Sequence, residues 1–127
     1  MTSARVGGGR PDLDDHDPLD AMAAAPEHHR VLLENDRVRV LDAYVAPGGK
    51  TPVHTHRWPS VLYVVTSSHF VRHDPDGKVV LDSRTLASKP EGGAALWSPP
   101  LGPHFVRNVG EQELRVIAVE LKPAPPG

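Results

Sequence analysis

Two histidines separated by a single residue are the first feature of this sequence that could do chemistry. They are His54 and His56, in the segment TPVHTHRW. In an extended strand, residues i and i+2 point to the same face, about 6.5 to 7 Å apart along the chain, so the two imidazoles can share one ion. Turn residues 47–49 precede the pair, and Pro52 favours an extended conformation just before it. The pair is predicted to lie on a strand, where it is either a metal site or a solvated pair.

Composition narrows the kind of ligand. The sequence has no cysteine, so any metal must be bound by histidine, aspartate or glutamate. Its 127 residues suffice for one domain with one core. A formal net charge of −2 gives no general attraction to nucleic acid or to an anionic membrane, and no stretch resembles a signal peptide or a membrane span. We expect a cytoplasmic protein whose partner is a small molecule, with neither nucleic acid nor membrane as a partner.

The elements that must position the histidines are short strands. From residue 30 onward, β-rich runs alternate with turn signals, a pattern typical of a sandwich or barrel. The clearest signal is Asp76-Gly77, which predicts a hairpin between FVRH and KVVLDS. Such barrels often pair through their edges, so we expect a homodimer with the apolar run 31–33 at the interface.

The first part of the chain has a different composition. Residues 1–27 are rich in acids, glycine and proline, which predicts a flexible N-terminal arm. Within it, Asp17 and Pro18 suit the start of a short helix over residues 19–25. That helix would matter only if it docks on the barrel.

A second motif follows in GAALWSPPLGPHFVRN, where Gly93 precedes Pro99, His104 and Asn108. Together the two motifs resemble those of the cupins, in which glycine, HxH and an acid face glycine, proline, histidine and asparagine across a barrel. The resemblance covers about residues 30–122. It implies an all-β, single-domain cupin fold, a double-stranded β-helix or jelly-roll barrel over residues 28–127 after an arm of residues 1–27. It also implies a divalent metal bound by His54, His56 and His104, while Asn108 ties a backbone turn.

The chain departs from the cupin pattern at the acidic ligand. Where cupins usually have an acid, this sequence has Ser60 followed by Val61. A serine hydroxyl is a poor ligand for a divalent ion, so we expect three neutral imidazoles, up to three open coordination positions and an unbound Ser60 nearby. The ion would keep its full charge and favour substrates that chelate through an anionic oxygen or sulfur.

The resemblance admits several functions. Three-histidine cupins include acetylacetone and thiol dioxygenases, so the leading hypothesis is a non-haem iron dioxygenase acting on a chelating anionic substrate. The alternatives are a redox-neutral isomerase or cyclase with a Lewis-acid metal, and a non-catalytic cupin that binds a metal or metabolite. Fe2+ is favoured, and Zn2+, Ni2+, Mn2+ and Cu2+ also suit such a site.

Residues around the motifs complete the predicted site. The candidate pocket residues are Arg57, Trp58, Ser60, Leu62 and Trp97, with core packing as the alternative role of Trp97. Arg57 and Arg107 could steer an anion into the mouth, or point to solvent. If Ser60 faces inward, Tyr63 faces outward. Asp42, Glu120, His69 and His73 are interpreted as surface residues, and His28 and His29 as residues at the junction with the arm. Asp42 and Glu120 are also candidate general bases.

Overall fold

The computed structural model describes residues 17–124, and within them nine strands follow one short helix. In chain order the elements are α1 (Ala21–Ala24), β1 (His29–Glu34), β2 (Val38–Val45), β3 (His54–His56), β4 (Ser60–Thr66), β5 (Phe70–His73), β6 (Val79–Asp82), a 3-10 turn (Ser83–Thr85), β7 (Ala95–Ser98), β8 (Leu101–Asn108) and β9 (Leu114–Leu121). No helix among these residues is both long and apolar enough to cross a membrane.

The strands form two antiparallel sheets. One has the order β1-β2-β9-β4-β7 and the other the order β3-β8-β5-β6. The predicted all-β fold is confirmed, and so is the hairpin at Asp76-Gly77, which joins β5 to β6. Gly77 has φ +92° in this turn, a conformation that glycine adopts without strain.

Inward and outward side chains alternate along β4. On β4, Ser60 and Val64 are buried while Tyr63 is 48% exposed, as predicted. A cluster of Leu41, Ala118 and Ala21 forms the apolar core, and Leu62 packs against it. Much of the remaining interior is polar, because several strands turn histidine or charged side chains inward. The apolar run 31–33 lies on the edge strand β1 and is exposed, and the homodimer through it stays a prediction.

Residues 17–25 pack against the barrel, whereas the sequence predicts them as part of a flexible arm; residues 1–16 lie outside the described residues. The predicted helix is present but shorter, and its N-cap is Asp20 instead of Asp17. Thr55 on β3 donates its backbone N–H to Leu19 O at 2.6 Å. Ala21 is completely buried, so the docked helix closes part of the core.

A buried ion pair fixes this helix. The Arg39 guanidinium on β2 donates from both terminal nitrogens to the two Asp20 oxygens, each at 3.0 Å. Asp20 also caps the helix by accepting from Met22 N at 3.1 Å. A bidentate pair of this kind is directional and strong, so it holds the helix against β2.

We therefore expect Asp20→Ala to lower the free energy of unfolding by about 3 kcal/mol, because it leaves a buried arginine short of one partner and removes the helix cap. Urea denaturation measures the change. The control is Asp36→Ala in the exposed β1–β2 turn, for which we expect less than about 0.5 kcal/mol. Equal stability of the two variants would show that the docked helix contributes little.

Candidate metal site

The pairing of β3 with β8 brings the three predicted histidines together. His54 lies directly opposite His104 in the register, and their ring centroids are 4.5 Å apart. The His56 ring is 5.0 Å from that of His54 and 5.8 Å from that of His104. His54 and His104 are 2% and 5% exposed. The two sequence motifs therefore meet at one buried point.

A fourth imidazole joins them from the other sheet. His29, the first residue of β1, has its ring centroid 5.0 Å from that of His54 and 5.2 Å from that of His56. One ligand nitrogen of each of these three histidines lies within 4.8 Å of the others. His104 does not belong to this group of ligand nitrogens, although its ring is adjacent to those of His54 and His56. Sequence reasoning placed His29 at the arm junction, whereas it is 6% exposed in the barrel interior. We call His29, His54, His56 and His104 the histidine cluster.

Hydrogen bonds orient every ring of the cluster in the same way. In each, Nδ1 faces an oxygen acceptor: Pro52 O for His54 at 2.8 Å, Gly102 O for His104 at 2.7 Å, Ala25 O for His29 at 3.0 Å and Glu120 Oε2 for His56 at 3.0 Å. A carbonyl or carboxylate oxygen can only accept, so Nδ1 carries the proton in each ring and Nε2 is left to bind a metal. This is the arrangement that metal-binding histidines have.

Burial also keeps three of the four rings uncharged. The loss of hydration is the main cause that lowers the pKa of His29, His54 and His104 to about 4. Hydrogen bonds to backbone carbonyls oppose this effect, and neighbouring imidazoles add to it. These three rings are therefore neutral at pH 7, as metal ligands must be. The donor set fits a divalent transition metal, since neutral imidazole suits zinc, iron, nickel and copper.

A buried carboxylate, Glu120, is hydrogen-bonded to His56 of the cluster. Glu120, interpreted from sequence as a surface charge, is completely buried. It lies opposite Ser60 in the β4–β9 register, so the neighbouring strand supplies an acid beside the position where the motif lacks one. Glu120 accepts from His56 at 3.0 Å and from Arg39 Nε at 2.6 Å. Although burial raises the pKa of Glu120, these two hydrogen bonds lower it below its usual value, so the group is a carboxylate.

The cluster opens into a cavity of about 140 Å³, called here the histidine cavity. Of the predicted pocket residues, Ser60 and Leu62 line it. The Ser60 hydroxyl donates to Trp58 O at 3.4 Å, a long contact. Arg57 and Trp58 do not belong to the wall that the described residues form. The Trp58 ring instead packs against cations, with Arg57 Cζ at 4.2 Å and Arg39 Cζ at 5.0 Å from its centroid.

A larger cavity of about 380 Å³, called here the apolar cavity, adjoins the first. Leu62 lines both. Trp97 lines the apolar cavity but is 62% exposed, so core packing is the wrong interpretation of this residue. It lies opposite Val61 on the outward face of β7, where no strand of the described chain covers it.

The structure also locates four other residues that the sequence analysis interpreted, namely His73, His69, Asp42 and Asn108. His73 is buried, stacks on Phe105 at 4.6 Å and accepts from Arg107 Nε at 3.0 Å, so the prediction that it is exposed is wrong. His69 is half-buried against the Ser83 hydroxyl at 2.9 Å.

Asp42 lies on the outward face of β2, where Arg115 covers it by two hydrogen bonds. Asn108 is buried and ties the turn that follows it, as predicted, by donating to Val45 O and Gln112 O.

Comparisons with known proteins place this fold. No family model matches the sequence, and no curated protein matches it. Among solved structures, a cupin domain protein from Bordetella pertussis is 25% identical over 75% of this chain and 92% of that chain, with a TM-score of 0.60. An RmlC-like cupin from Methanocaldococcus jannaschii with a double-stranded β-helix fold is 13% identical over 74% and 78%, with a TM-score of 0.54. The polyketide cyclase RemF from Streptomyces resistomycificus is 27% identical over 77% and 66%, with a TM-score of 0.50.

The low pKa values of the buried histidines predict a pH dependence of stability. Between about pH 6.5 and 4 the unfolded chain binds protons that the folded chain does not, so the free energy of unfolding of metal-free protein falls as the pH is lowered through this window. We expect a loss on the order of 6 kcal/mol between pH 7 and pH 4.5, about 2 kcal/mol for each of the three histidines. Urea denaturation across this range measures it.

The matched control is the double variant His54→Gln with His104→Gln, whose slope should be smaller than that of the wild type. The pKa values of Glu120 and Asp20 are lowered in the folded protein, so the stability that these two acids contribute is lost only at lower pH. A flat profile between pH 7 and pH 5 would contradict the neutral, buried state of the cluster.

Proposed function

We propose that this chain, which has the cupin fold, is a metal-dependent enzyme acting on a small molecule in the histidine cavity. The observation that carries the proposal is that ligand nitrogens of His29, His54 and His56 lie within 4.8 Å of one another, with the His104 ring beside them. In all four rings an acceptor holds Nδ1, which leaves Nε2 available to a metal. His54, His56 and His104 are the proposed ligands from the two motifs, and His29 is the proposed fourth.

The chemistry available at such a site follows from its donors. A divalent metal held by neutral imidazoles would supply Lewis-acid polarisation of a bound substrate oxygen. Glu120 fixes the tautomer and orientation of His56 and makes that imidazole a stronger donor. The accessible surface of the cavity wall is largely apolar, and a bound substrate that displaces water from it would strengthen the electrostatic interactions inside.

Proton transfer in the cavity has one well-placed candidate. His28 lines the wall beside the cluster, and its Nδ1 lies 2.9 Å from Tyr44 O, so its Nε2 carries the lone pair. The described wall contains no carboxylate. We therefore infer that His28, instead of Asp42 or Glu120, is the general acid or base.

The fourth histidine favours a redox-neutral reaction over dioxygenation. Three ligands of a six-coordinate ion leave room for both a chelating substrate and dioxygen, whereas four ligands do not. The likeness to a polyketide cyclase supports the same preference, because that protein is named for a cyclisation. An isomerase or cyclase with Zn2+ or Ni2+ is therefore the function that the site supports best.

An iron dioxygenase is the second candidate, and one observation favours it. His54, His56 and His104 lie on paired strands of one sheet, whereas His29 comes from the opposite sheet. A site made only of the three motif histidines would keep three positions open. Fe2+ in the purified protein together with oxygen uptake would support this candidate.

The proposal predicts about one metal ion per chain in protein purified without chelator, measured by elemental mass spectrometry. We expect His54→Ala, His56→Ala and His104→Ala each to lower the metal content at least about tenfold, because each removes one ligand. His29→Ala should lower it as well.

The matched control is His69→Ala, since this half-buried histidine contacts Ser83 away from the cluster. It should retain the metal content of the wild type. A wild type that holds no metal even after reconstitution with Zn2+ and Fe2+ would overturn the proposal and leave a binding protein.

A further inference from the structure

A half-buried arginine, Arg72, lines the site and has no role in the function proposed above. Arg72 on β5 lies opposite Val106 in the β5–β8 register, two residues along β8 from His104. Its side chain therefore points into the barrel and lines the histidine cavity. It also lines the apolar cavity, so it stands where the two meet.

Arg72 differs from the fully buried Arg39 in having no ion-pair partner within residues 17–124. Arg39 is held between Asp20 and Glu120. By contrast, Arg72 Nε is buried and has no hydrogen-bond partner within residues 17–124. Burial is the sole cause that lowers the pKa of Arg72, since no acid of the described chain acts on it.

The buried Nε–H of Arg72 is costly to the fold, because its hydration is lost and no hydrogen bond within residues 17–124 replaces it. Arginine cannot avoid this cost by losing its proton. A ligand that accepts from this nitrogen would complete the missing hydrogen bond.

The shape of the space around Arg72 indicates what the ligand is. The two cavities share apolar walls made by Leu62, Leu101, Val106, Leu114 and Val116. The apolar cavity offers about 380 Å³ beyond them, within the range of small-molecule sites. A ligand that fits has an apolar body and a single anionic group at the point where the cavities meet.

We propose that Arg72 binds the anionic group of the substrate and that the substrate is an amphipathic carboxylate whose apolar body fills the apolar cavity. The guanidinium fork matches a carboxylate through two parallel hydrogen bonds. Arg72 thus has the anion-binding role that the sequence analysis assigned to Arg57. The inference rests on the proposed function only for calling this ligand the substrate; binding of the anion by Arg72 does not depend on the metal.

The test compares two aromatic probes of similar shape, 2-naphthoate and the neutral 2-naphthylmethanol, by isothermal titration calorimetry. Both the chelator-treated protein and the Zn2+-loaded protein are titrated. The wild type should prefer the anion. Arg72→Met should weaken naphthoate binding about 10- to 100-fold and change binding of the alcohol less than about 3-fold, since only the charge-assisted hydrogen bonds are lost.

Two further variants keep the test decisive. Arg37→Met changes the net charge equally at an exposed position and should leave both affinities unchanged. Arg72→Lys retains the charge without the planar fork and should lie between the wild type and Arg72→Met. Because methionine removes an unpaired charge and keeps the apolar stem, the melting temperature of Arg72→Met should not fall.

Several results would overturn the inference: no naphthoate binding by the wild type, no preference over the alcohol, or an equal loss for both probes in Arg72→Met. An Arg72-dependent preference in the chelator-treated protein supports it whether or not the chain holds a metal. Failure of the metal proposal and failure of this one are therefore separate results.

Discussion

A buried network of three charged side chains and one histidine holds this molecule together. Asp20 pairs with Arg39, Arg39 with Glu120, and Glu120 with His56, at distances of 2.6 to 3.0 Å. The network joins the N-terminal helix, β2, β9 and β3, which belong to both sheets. Each member compensates the burial of the next, so removing one leaves an uncompensated charge in the interior. The orientation of one metal-ligating imidazole is thus coupled to the docking of a helix at the surface of the barrel.

The helix also acts on the site along a second route. The backbone oxygen of its C-cap residue Ala25 accepts a hydrogen bond from His29 Nδ1, so the docked helix orients the His29 ring. The interior that results is more polar than a typical core, with a small apolar cluster beside four histidines, the buried Arg39 and the half-buried Arg72. Active sites are commonly built in this way, since groups that are costly to bury become useful once a ligand pairs with them.

The sequence predicts the part of the site that depends on local spacing. His54 and His56 share a face because they are two apart, and the second motif adds His104. The inward position of Glu120 could have been predicted from the sequence, because Leu114, Val116, Ala118 and Glu120 share one face of β9. Its charge instead led to the prediction that it lies at the surface. The positions of His29 and Arg72 could not be predicted from the sequence, because only the pairing of distant strands and the docking of the helix place them beside the cluster.

The most direct test of the central claim, that the histidine cluster binds the metal through its Nε2 atoms, is X-ray absorption spectroscopy of Zn2+-loaded protein. The multiple scattering of imidazole rings counts the histidine ligands. The account predicts about four imidazoles in the wild type and about three in His29→Gln, with Zn–N distances near 2.0 to 2.1 Å. A spectrum without imidazole scattering, or one that His29→Gln leaves unchanged, would contradict it.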